Sequence, residues 1–299
     1  MGTRTKYSLG WIPDYPDLRD YTEETQDVKT LLEPTGLVEG GRRRGRSRTR
    51  RALPAAIDLR EWCSAVEDQL GIGSCTAHAG VGIVEYYERR SFGRHVEASR
   101  LFLYKVTRNL MKLKGDTGAY LRKTMGAMVL FGVPPEEYWP YTDGEKFDRE
   151  PSAFCYAFAE NYKTVKYYRH DPHGTQAGSV LSGIKKHLAA GHPVMFGFTV
   201  YNSIEQAETN GRVPYPLERE KIQGGHAVAA VGYDDKLKIK NAHGGAVSTG
   251  ALLVRNSWGE GWGEKGYGWL PYDYVLRGLA EDFWSVIKKE WVDTGQFNI

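Results

Sequence analysis

The stretch that decides the fold is Gln69-Leu-Gly-Ile-Gly-Ser-Cys75, which leads directly into a segment of helical character. From Cys75 to about Arg90 apolar residues recur at helical spacing, so the cysteine stands at or near a helix start. Gly71 and Gly73 make the preceding segment a loop. The dipole and the free N–H groups of a helix start favour a thiolate over a thiol, so Cys75 is a candidate nucleophile.

Two strand-like segments supply a histidine and an asparagine. Gly225-His226-Ala-Val-Ala-Ala-Val-Gly-Tyr233 places His226 at the start of a buried strand, which fixes the direction of its ring. Leu252-Leu-Val-Arg-Asn256-Ser-Trp258 ends another strand with an amide that can accept the second N–H of the imidazole, beside an indole that can exclude water. Together with Cys75 these residues form a pattern for nucleophilic catalysis.

The same segments resemble the papain family of cysteine peptidases from about Leu53 to about Val275. Ala-Ile-Asp58-Leu-Arg-Glu-Trp62 looks like the mature N-terminus of that family, and Gln69 stands six positions before Cys75. The order Gln, Cys, His, Asn is also that of the family. The chain is therefore identified as a variant of the papain and cathepsin type of thiol protease.

The resemblance implies an α+β fold with two subdomains. A helical left subdomain, residues 52–160, would carry Gln69 and Cys75. A β-rich right subdomain, residues 161–299, would be built on an antiparallel, barrel-like sheet and carry His226 and Asn256. The active site would lie in the cleft between them.

The resemblance also implies the role of each residue. Cys75 attacks the peptide carbonyl as a thiolate paired with the imidazolium of His226, and Asn256 orients the ring. Gln69 and the backbone N–H of Cys75 form the oxyanion hole. An acyl-thioester forms and water hydrolyses it, so the expected activity is a hydrolase acting on peptide or protein substrates, as an endopeptidase, without a metal or organic cofactor.

Several residues are expected to line the substrate cleft by the same resemblance: Gly73, Ser74, Gly118, Ala119, Gly225 and Trp258. Ala119 replaces a glycine that bonds the substrate backbone in relatives; its methyl group narrows the subsite but leaves the backbone donor and acceptor in place. Gly225 stands where relatives often carry Asp or Asn. Trp258 is expected to border the primed side.

The chain departs from the family at the usual disulfide. Ile72 and Asp116 occupy the positions of the two cysteines, and Thr76 replaces the aromatic residue that follows the nucleophile. The three cysteines, Cys63, Cys75 and Cys155, form no disulfide framework. Cys63 and Cys155 are expected to be packing residues.

Two other segments contain histidines that compete with His226 as functional candidates. His78 lies three residues along the helix from Cys75 but has no orienting amide, so it is a weaker candidate base. His170-Asp-Pro-His173 has a spacing found in metal sites but no evident third ligand. A surface turn is the expected interpretation, and no metal site is predicted.

Residues 1–51 permit two interpretations. An extended arm rich in Trp, Pro and Tyr is followed by a short helical stretch and by a linker in which residues 42–51 hold seven arginines. In the first interpretation this is the pro-segment of a zymogen, and the arm occupies the cleft. In the second it is a permanent arm packed on the body.

Composition narrows the remaining possibilities. The chain has 299 residues, 41% of them hydrophobic, and its net charge of +3 depends on the arginine run alone. No nucleic-acid partner, no membrane and no signal peptide are predicted, and a cytoplasmic location is expected. The alternatives left open are acyl transfer of the transglutaminase type, a non-catalytic peptide-binding protein of the same fold, and nucleic-acid binding through the arginine run.

Overall fold

The computed structural model describes residues 7–38, 52–163 and 166–297 of the chain. The predicted arginine linker lies outside the described residues. Within these ranges the α-helices are α1 (Gln26–Leu32), α2 (Cys75–Phe92), α3 (Arg100–Met111), α4 (Leu121–Leu130), α5 (Ala153–Ala159), α6 (Ala177–Ala189), α7 (Tyr272–Leu276) and α8 (Lys289–Val292).

The strands belong to one antiparallel sheet. They are β1 (Ala56–Asp58), β2 (Lys166–Arg169), β3 (Val194–Tyr201), β4 (Ile222–Asn241), β5 (Gly244–Arg255), β6 (Tyr267–Pro271) and β7 (Ala280–Ile287). The sheet order is β2-β7-β3-β4-β5-β6, and β1 adds to β4. The predicted α+β class, with helices first and an antiparallel sheet second, is confirmed.

Helix α2 contacts α3 and α4 and also strand β4. Its first nine residues, 75–83, are all buried, so the helix start lies inside the protein and not on its surface. Small residues allow this close packing: a Cβ on Gly80 would lie 3.0 Å from the sulfur of Met128, and one on Gly82 would lie 2.9 Å from the side chain of Arg255. These two glycines thereby let α2 pack closely on α4 and on the end of β5.

The N-terminal arm, residues 7–38, packs on the body at several points. Its helix α1 takes part in a small hydrophobic core that is separate from the main one, and the buried members of this small core are Val28, Leu32, Leu37, Tyr168, Ala190, Ile287 and Val292. Arm and body both contribute to it, so the arm is integrated into the fold. Among the described helices, none has the length and apolar character needed to cross a membrane.

Candidate active site

The thiol of Cys75 faces strand β4 at the position of the predicted histidine. Cys75 is the first residue of α2 and is fully buried. The backbone N–H of Ala227 donates to its Sγ at 3.4 Å, and His226 immediately precedes Ala227. The structure therefore brings a helix start and a strand together so that thiol and imidazole belong to one site.

The imidazole of His226 is fixed in orientation and tautomer. Its Nε2 lies 2.7 Å from Oδ1 of Asn256. An amide oxygen only accepts, so Nε2 carries a hydrogen and the neutral ring has its lone pair on Nδ1, the atom left to receive a proton. The N–H of Ser257 donates to the same Oδ1 at 2.8 Å, and the Trp258 ring stacks on the imidazole at 4.4 Å between centroids.

The side chain of Gln69 is held by a residue that the sequence reasoning missed. The hydroxyl of Ser257 donates to Oε1 of Gln69 at 2.5 Å, so the amide NH₂ must point away from Ser257. This NH₂ donates to the carbonyl oxygens of Ile72 at 3.0 Å and of Ser8 at 3.1 Å. Ser257 lies between Asn256 and Trp258 in sequence, and that neighbourhood was the available signal.

Asp116 links two loops of the cleft. Its Oδ1 accepts the N–H of Gly73 at 2.8 Å and the hydroxyl of Tyr104 at 2.6 Å. The Tyr104 hydroxyl in turn accepts the N–H of Gly118 at 3.1 Å. At a position where the family resemblance implies a disulfide cysteine, a carboxylate joins the same two segments by hydrogen bonds.

The N-terminal arm crosses the site. The Tyr7 ring stacks on Trp258 at 4.2 Å, and the Ser8 carbonyl lies at Gln69 as described above. Gly10 donates its N–H to the Gly225 carbonyl at 3.1 Å and accepts the N–H of Ala119 at 2.7 Å. One extended segment thus spans the cleft from the indole side to the Ala119 side, where the N–H of Ile12 donates to the Ala119 carbonyl at 3.1 Å.

Trp11 fills a pocket that two glycines create. The residue is 4% exposed, and its Nε1 donates to the buried carboxylate of Asp282 at 3.2 Å. A Cβ on Gly197 would lie 1.9 Å from this ring, and a Cβ on Gly225 would lie 2.4 Å from the Trp11 carbonyl oxygen. The arm therefore occupies the space that a side chain at position 225 would fill.

The arm contacts most of the residues that were expected to line the cleft. Besides Ala119, Gly225 and Trp258, the backbone of Gly73 approaches the arm so closely that an added Cβ would lie 2.9 Å from the Leu9 oxygen. A Cβ on Gly118 would lie 2.3 Å from the Gly10 oxygen. The side chain of Ser74 behaves differently: it is buried, and its hydroxyl lies 2.6 Å from that of Tyr141.

Beneath the arm, thiol and imidazole form a neutral pair. Burial raises the pKa of Cys75 to about 11, although the N–H groups of Ala227 and Gly10 oppose the shift. Burial also lowers the pKa of His226 to about 4, against the effect of its hydrogen bond to Asn256. At neutral pH the covered site therefore contains a thiol and an uncharged ring.

The rival base His78 is bound to its own helix start. Its Nδ1 lies 3.2 Å from the Ser74 carbonyl oxygen, and its ring meets Tyr141 edge to face at 5.1 Å. Burial lowers its pKa well below the usual range. The hydrogen bonding of His78 thus differs from that of His226, whose second nitrogen is held by an amide oxygen.

Comparisons with known proteins agree with this geometry. A sequence model of the papain family of cysteine proteases matches residues 53–283. The uncharacterized peptidase C1-like protein L477 of Acanthamoeba polyphaga mimivirus is 32% identical over 292 residues, which cover 93% of this chain and 86% of that protein. Cathepsin B-like CP3 of Giardia intestinalis is 27% identical over 255 residues, or 81% of this chain and 77% of that protein.

Among solved structures, xylellain, a cysteine protease from Xylella fastidiosa, superposes with a TM-score of 0.72 at 32% identity and covers 96% of this chain and 98% of its own. The matches to xylellain and to the mimivirus protein are longer than residues 52–299 could supply alone. Both therefore include part of the N-terminal region.

Proposed function

This chain belongs to the papain family of cysteine proteases and is a cysteine-type peptidase; from that premise we propose that it is an endopeptidase made in a self-inhibited form. In this proposal residues 7–12 block the cleft until they leave it. The single observation that carries the proposal is the Ser8 carbonyl, which accepts a hydrogen bond from Gln69 Nε2 at 3.1 Å, where the oxyanion of a substrate would bind.

Once the arm leaves, the groups around Cys75 can perform acyl transfer to water. The thiol passes its proton to Nδ1 of His226, and the thiolate attacks the substrate carbonyl carbon. Gln69 and the N–H of Cys75 stabilise the oxyanion, and the imidazolium gives its proton to the leaving amine. Water, deprotonated by the same ring, then hydrolyses the thioester. The intact set of four residues favours hydrolysis over a transglutaminase-type reaction and over non-catalytic peptide binding.

Cleavage at internal bonds is supported by the path of the arm. Six consecutive residues, 7–12, cross the cleft and continue on both sides of Cys75. A cleft that accepts chain at both ends has no need of a free substrate terminus. Peptides with blocked termini are therefore expected to be substrates.

The direction of the arm supports its role as an inhibitor that resists cleavage by its own site. His226 and Trp258 lie on the side where the leaving amine must receive its proton, so the C-terminal part of a substrate belongs on that side. In the arm, the earlier residue Tyr7 lies on Trp258 and the later residue Ile12 lies at Ala119. A carbonyl in this chain is presented in the reverse sense, and its amine would depart away from the acid.

The test compares three proteins on internally quenched peptides with blocked ends: the full chain, a protein beginning at Asp14, and the full chain with Trp11→Ala. Removing residues 1–13, or emptying the pocket that holds Trp11, should raise kcat/KM by at least about tenfold, because the loss of a buried Trp side chain costs on the order of 3–5 kcal/mol of packing. Leu18→Ala serves as the control, since that arm residue is fully exposed.

Cys75→Ala must abolish the activity of every variant. Equal activity in the full chain and in the two arm variants would refute self-inhibition and leave the peptidase intact. A folded protein beginning at Asp14 that cleaves none of the peptides, whether blocked or free-ended, would count against the peptidase mechanism itself.

A further inference from the structure

Three potential metal ligands from distant parts of the chain meet outside the catalytic quartet. Glu23 belongs to the arm, His170 follows β2, and His187 lies in α6. The Glu23 Oε1 atom is 3.5 Å from Nδ1 of His170 and 3.5 Å from Nε2 of His187, and one ligand atom from each of the three residues lies within 4.8 Å of the other two. The imidazoles are buried, with side-chain exposures of 1% and 0%.

Each ring turns a lone pair toward the carboxylate. The Nδ1–H of His187 donates to the Gly183 carbonyl at 3.0 Å, so its Nε2 is bare in the neutral ring. The Ser285 hydroxyl donates to the Pro193 carbonyl at 3.0 Å and must accept from Nε2 of His170 at 2.9 Å. The bare nitrogen of His170 is then Nδ1. Outer hydrogen bonds of this kind fix metal-binding histidines.

The two bare nitrogens have no hydrogen-bond partner among the described residues. A distance of 3.5 Å to the carboxylate is longer than the 2.7–2.9 Å typical of a charge-assisted hydrogen bond. Two ligand atoms that each lie about 2.0–2.1 Å from a tetrahedral zinc ion are about 3.3 Å apart.

A second group of acids and histidine, Glu85, His95 and Glu97, lacks these features. Arg100 is bonded to both carboxylates, at 2.9 Å for Glu85 and 2.7 Å for Glu97, so their charges are already balanced. The spacing of His170 and His173 also misleads, because His173 is exposed. The two residues that accompany His170 come from distant parts of the chain: Glu23 from the arm and His187 from α6.

We propose that Glu23, His170 and His187 bind Zn²⁺, with solvent as the fourth ligand, and that the bound ion fastens the N-terminal arm to the body. The arm is already joined to this region by a backbone hydrogen bond. The N–H of Arg169, the residue before His170, donates to the Tyr21 carbonyl at 2.7 Å. An ion held by one arm residue and two body residues cross-links the two. Its binding does not depend on peptidase activity.

The test uses the full chain with Cys75→Ala, so that the catalytic thiol cannot bind the metal. The chelator-stripped protein is titrated with ZnCl₂ against a chromophoric chelator. We expect one equivalent to bind, with Kd raised at least about tenfold by Glu23→Gln or His187→Gln. The controls His95→Gln and His173→Gln should leave Kd unchanged. Zn²⁺ should also slow hydrogen exchange of the amides around Tyr21 in the parent, and not in the Glu23→Gln variant.

Glu23 is half-buried, and Glu23→Gln keeps the size of its side chain, so this variant should fold. It therefore tests the site even if His187→Gln does not fold. The site is refuted if no saturable equivalent binds, or if Glu23→Gln and His187→Gln bind as tightly as the parent. In that case the cluster is a plain ion pair. Binding at the site without slower exchange in the arm would overturn the fastening role.

Discussion

At the scale of single residues, the most informative contact is the hydroxyl of Ser257 on Gln69. A side-chain amide can rotate by half a turn, which would replace the NH₂ donor by an acceptor at the oxyanion position. The hydrogen bonds from Ser257 to Oε1 and from Nε2 to the Ile72 carbonyl prevent this rotation. In the proposed mechanism Ser257 is thus a positioning residue for the oxyanion hole.

Ser257→Ala should therefore lower kcat of the protein beginning at Asp14 and leave KM nearly unchanged. We expect kcat to fall about tenfold. The fall should be larger, on the order of 10²–10³, when the donor itself is lost in Gln69→Ala. Steady-state kinetics on one quenched peptide measures both constants. Ser64→Ala is the matched control, a buried serine whose hydroxyl donates to Glu85. An unchanged kcat in Ser257→Ala would show that Gln69 is oriented without it.

The thiol of Cys75 should change its pH dependence when the arm is removed. In the full chain burial raises its pKa to about 11, so the reactive thiolate fraction at pH 7 is about 10⁻⁴ and grows as pH rises toward that value. Without residues 1–13 the burial is relieved and the pKa must fall. Alkylation by iodoacetamide at pH 7 should then be faster by about two orders of magnitude or more.

The alkylation rate is followed by mass spectrometry from pH 5 to pH 10, with Cys75→Ala to subtract any reaction of Cys63 and Cys155. The same pH profile in the full chain and in the protein beginning at Asp14 would mean that the arm does not set the state of the thiol.

The meeting of Gln69, Cys75, His226 and Asn256 at one place could be predicted because each of them stands in a short contiguous motif. The roles of Ser257, Asp116 and Gly225 could not, since each depends on a partner distant in sequence. Gly225 is the clearest example. A side chain there would collide with Trp11, and this requirement for glycine is visible only once the arm is in place. A local pattern identifies the residues of a site more readily than the contacts that orient them.

At the scale of elements, the loop before α2 and the loop before α4 are joined by Asp116. A pair of hydrogen bonds is weaker than a covalent bridge, but it forms irrespective of redox conditions. Both loops carry cleft residues, Gly73 and Gly118, so their separation determines the width of the site.

Asp116→Ala should raise KM for peptides several-fold and lower stability by about 1 kcal/mol, the usual net value of a lost hydrogen bond. Asp116→Asn is the control, because its amide oxygen can still accept from Gly73 and Tyr104. Thermal unfolding and steady-state kinetics of the two variants provide the measurement. If Asp116→Asn and Asp116→Ala behave alike, the carboxylate oxygen is not what joins the loops.

Helix α2 was predicted from Cys75 to about Arg90 and ends at Phe92, because its apolar periodicity is strong. Strands β2 and β7 and helix α5 were not predicted. β4 extends from Ile222 to Asn241, well beyond the predicted run. Its last eight residues are mostly exposed or half-buried. Exposed strand ends carry polar residues on both faces and give little periodic signal.

At the scale of the whole molecule, the small core shared by arm and body divides residues 7–38 into two parts with different contacts. The cleft segment, residues 7–12, covers Cys75, whereas α1 and Leu37 bury the apolar surface of Tyr168, Ile287 and Val292. Both interpretations of the arm made from the sequence thus have a structural counterpart, each in a different part of it.

A protein beginning at Ala52 should therefore be less stable and more prone to aggregate than one beginning at Asp14, because it exposes the body half of the small core. Leu32→Ala in the full chain should cost about 2–5 kcal/mol and lower Tm correspondingly. Leu18→Ala is the control at a fully exposed arm position. Thermal melts measure the stability of these proteins, and light scattering measures their aggregation. Equal Tm for the two truncated proteins would show that α1 does not stabilise the body.

The attachment of the arm also has a kinetic meaning. A segment tethered next to its own target acts at an effective concentration on the order of millimolar, whatever the dilution of the protein. Substrate must compete with that local concentration, so the full chain should show a raised apparent KM and an unaltered limiting rate at saturation. The free hexapeptide of residues 7–12, lacking the tether, should inhibit far more weakly. The protein would thus respond to local substrate abundance before any bond in it is cut.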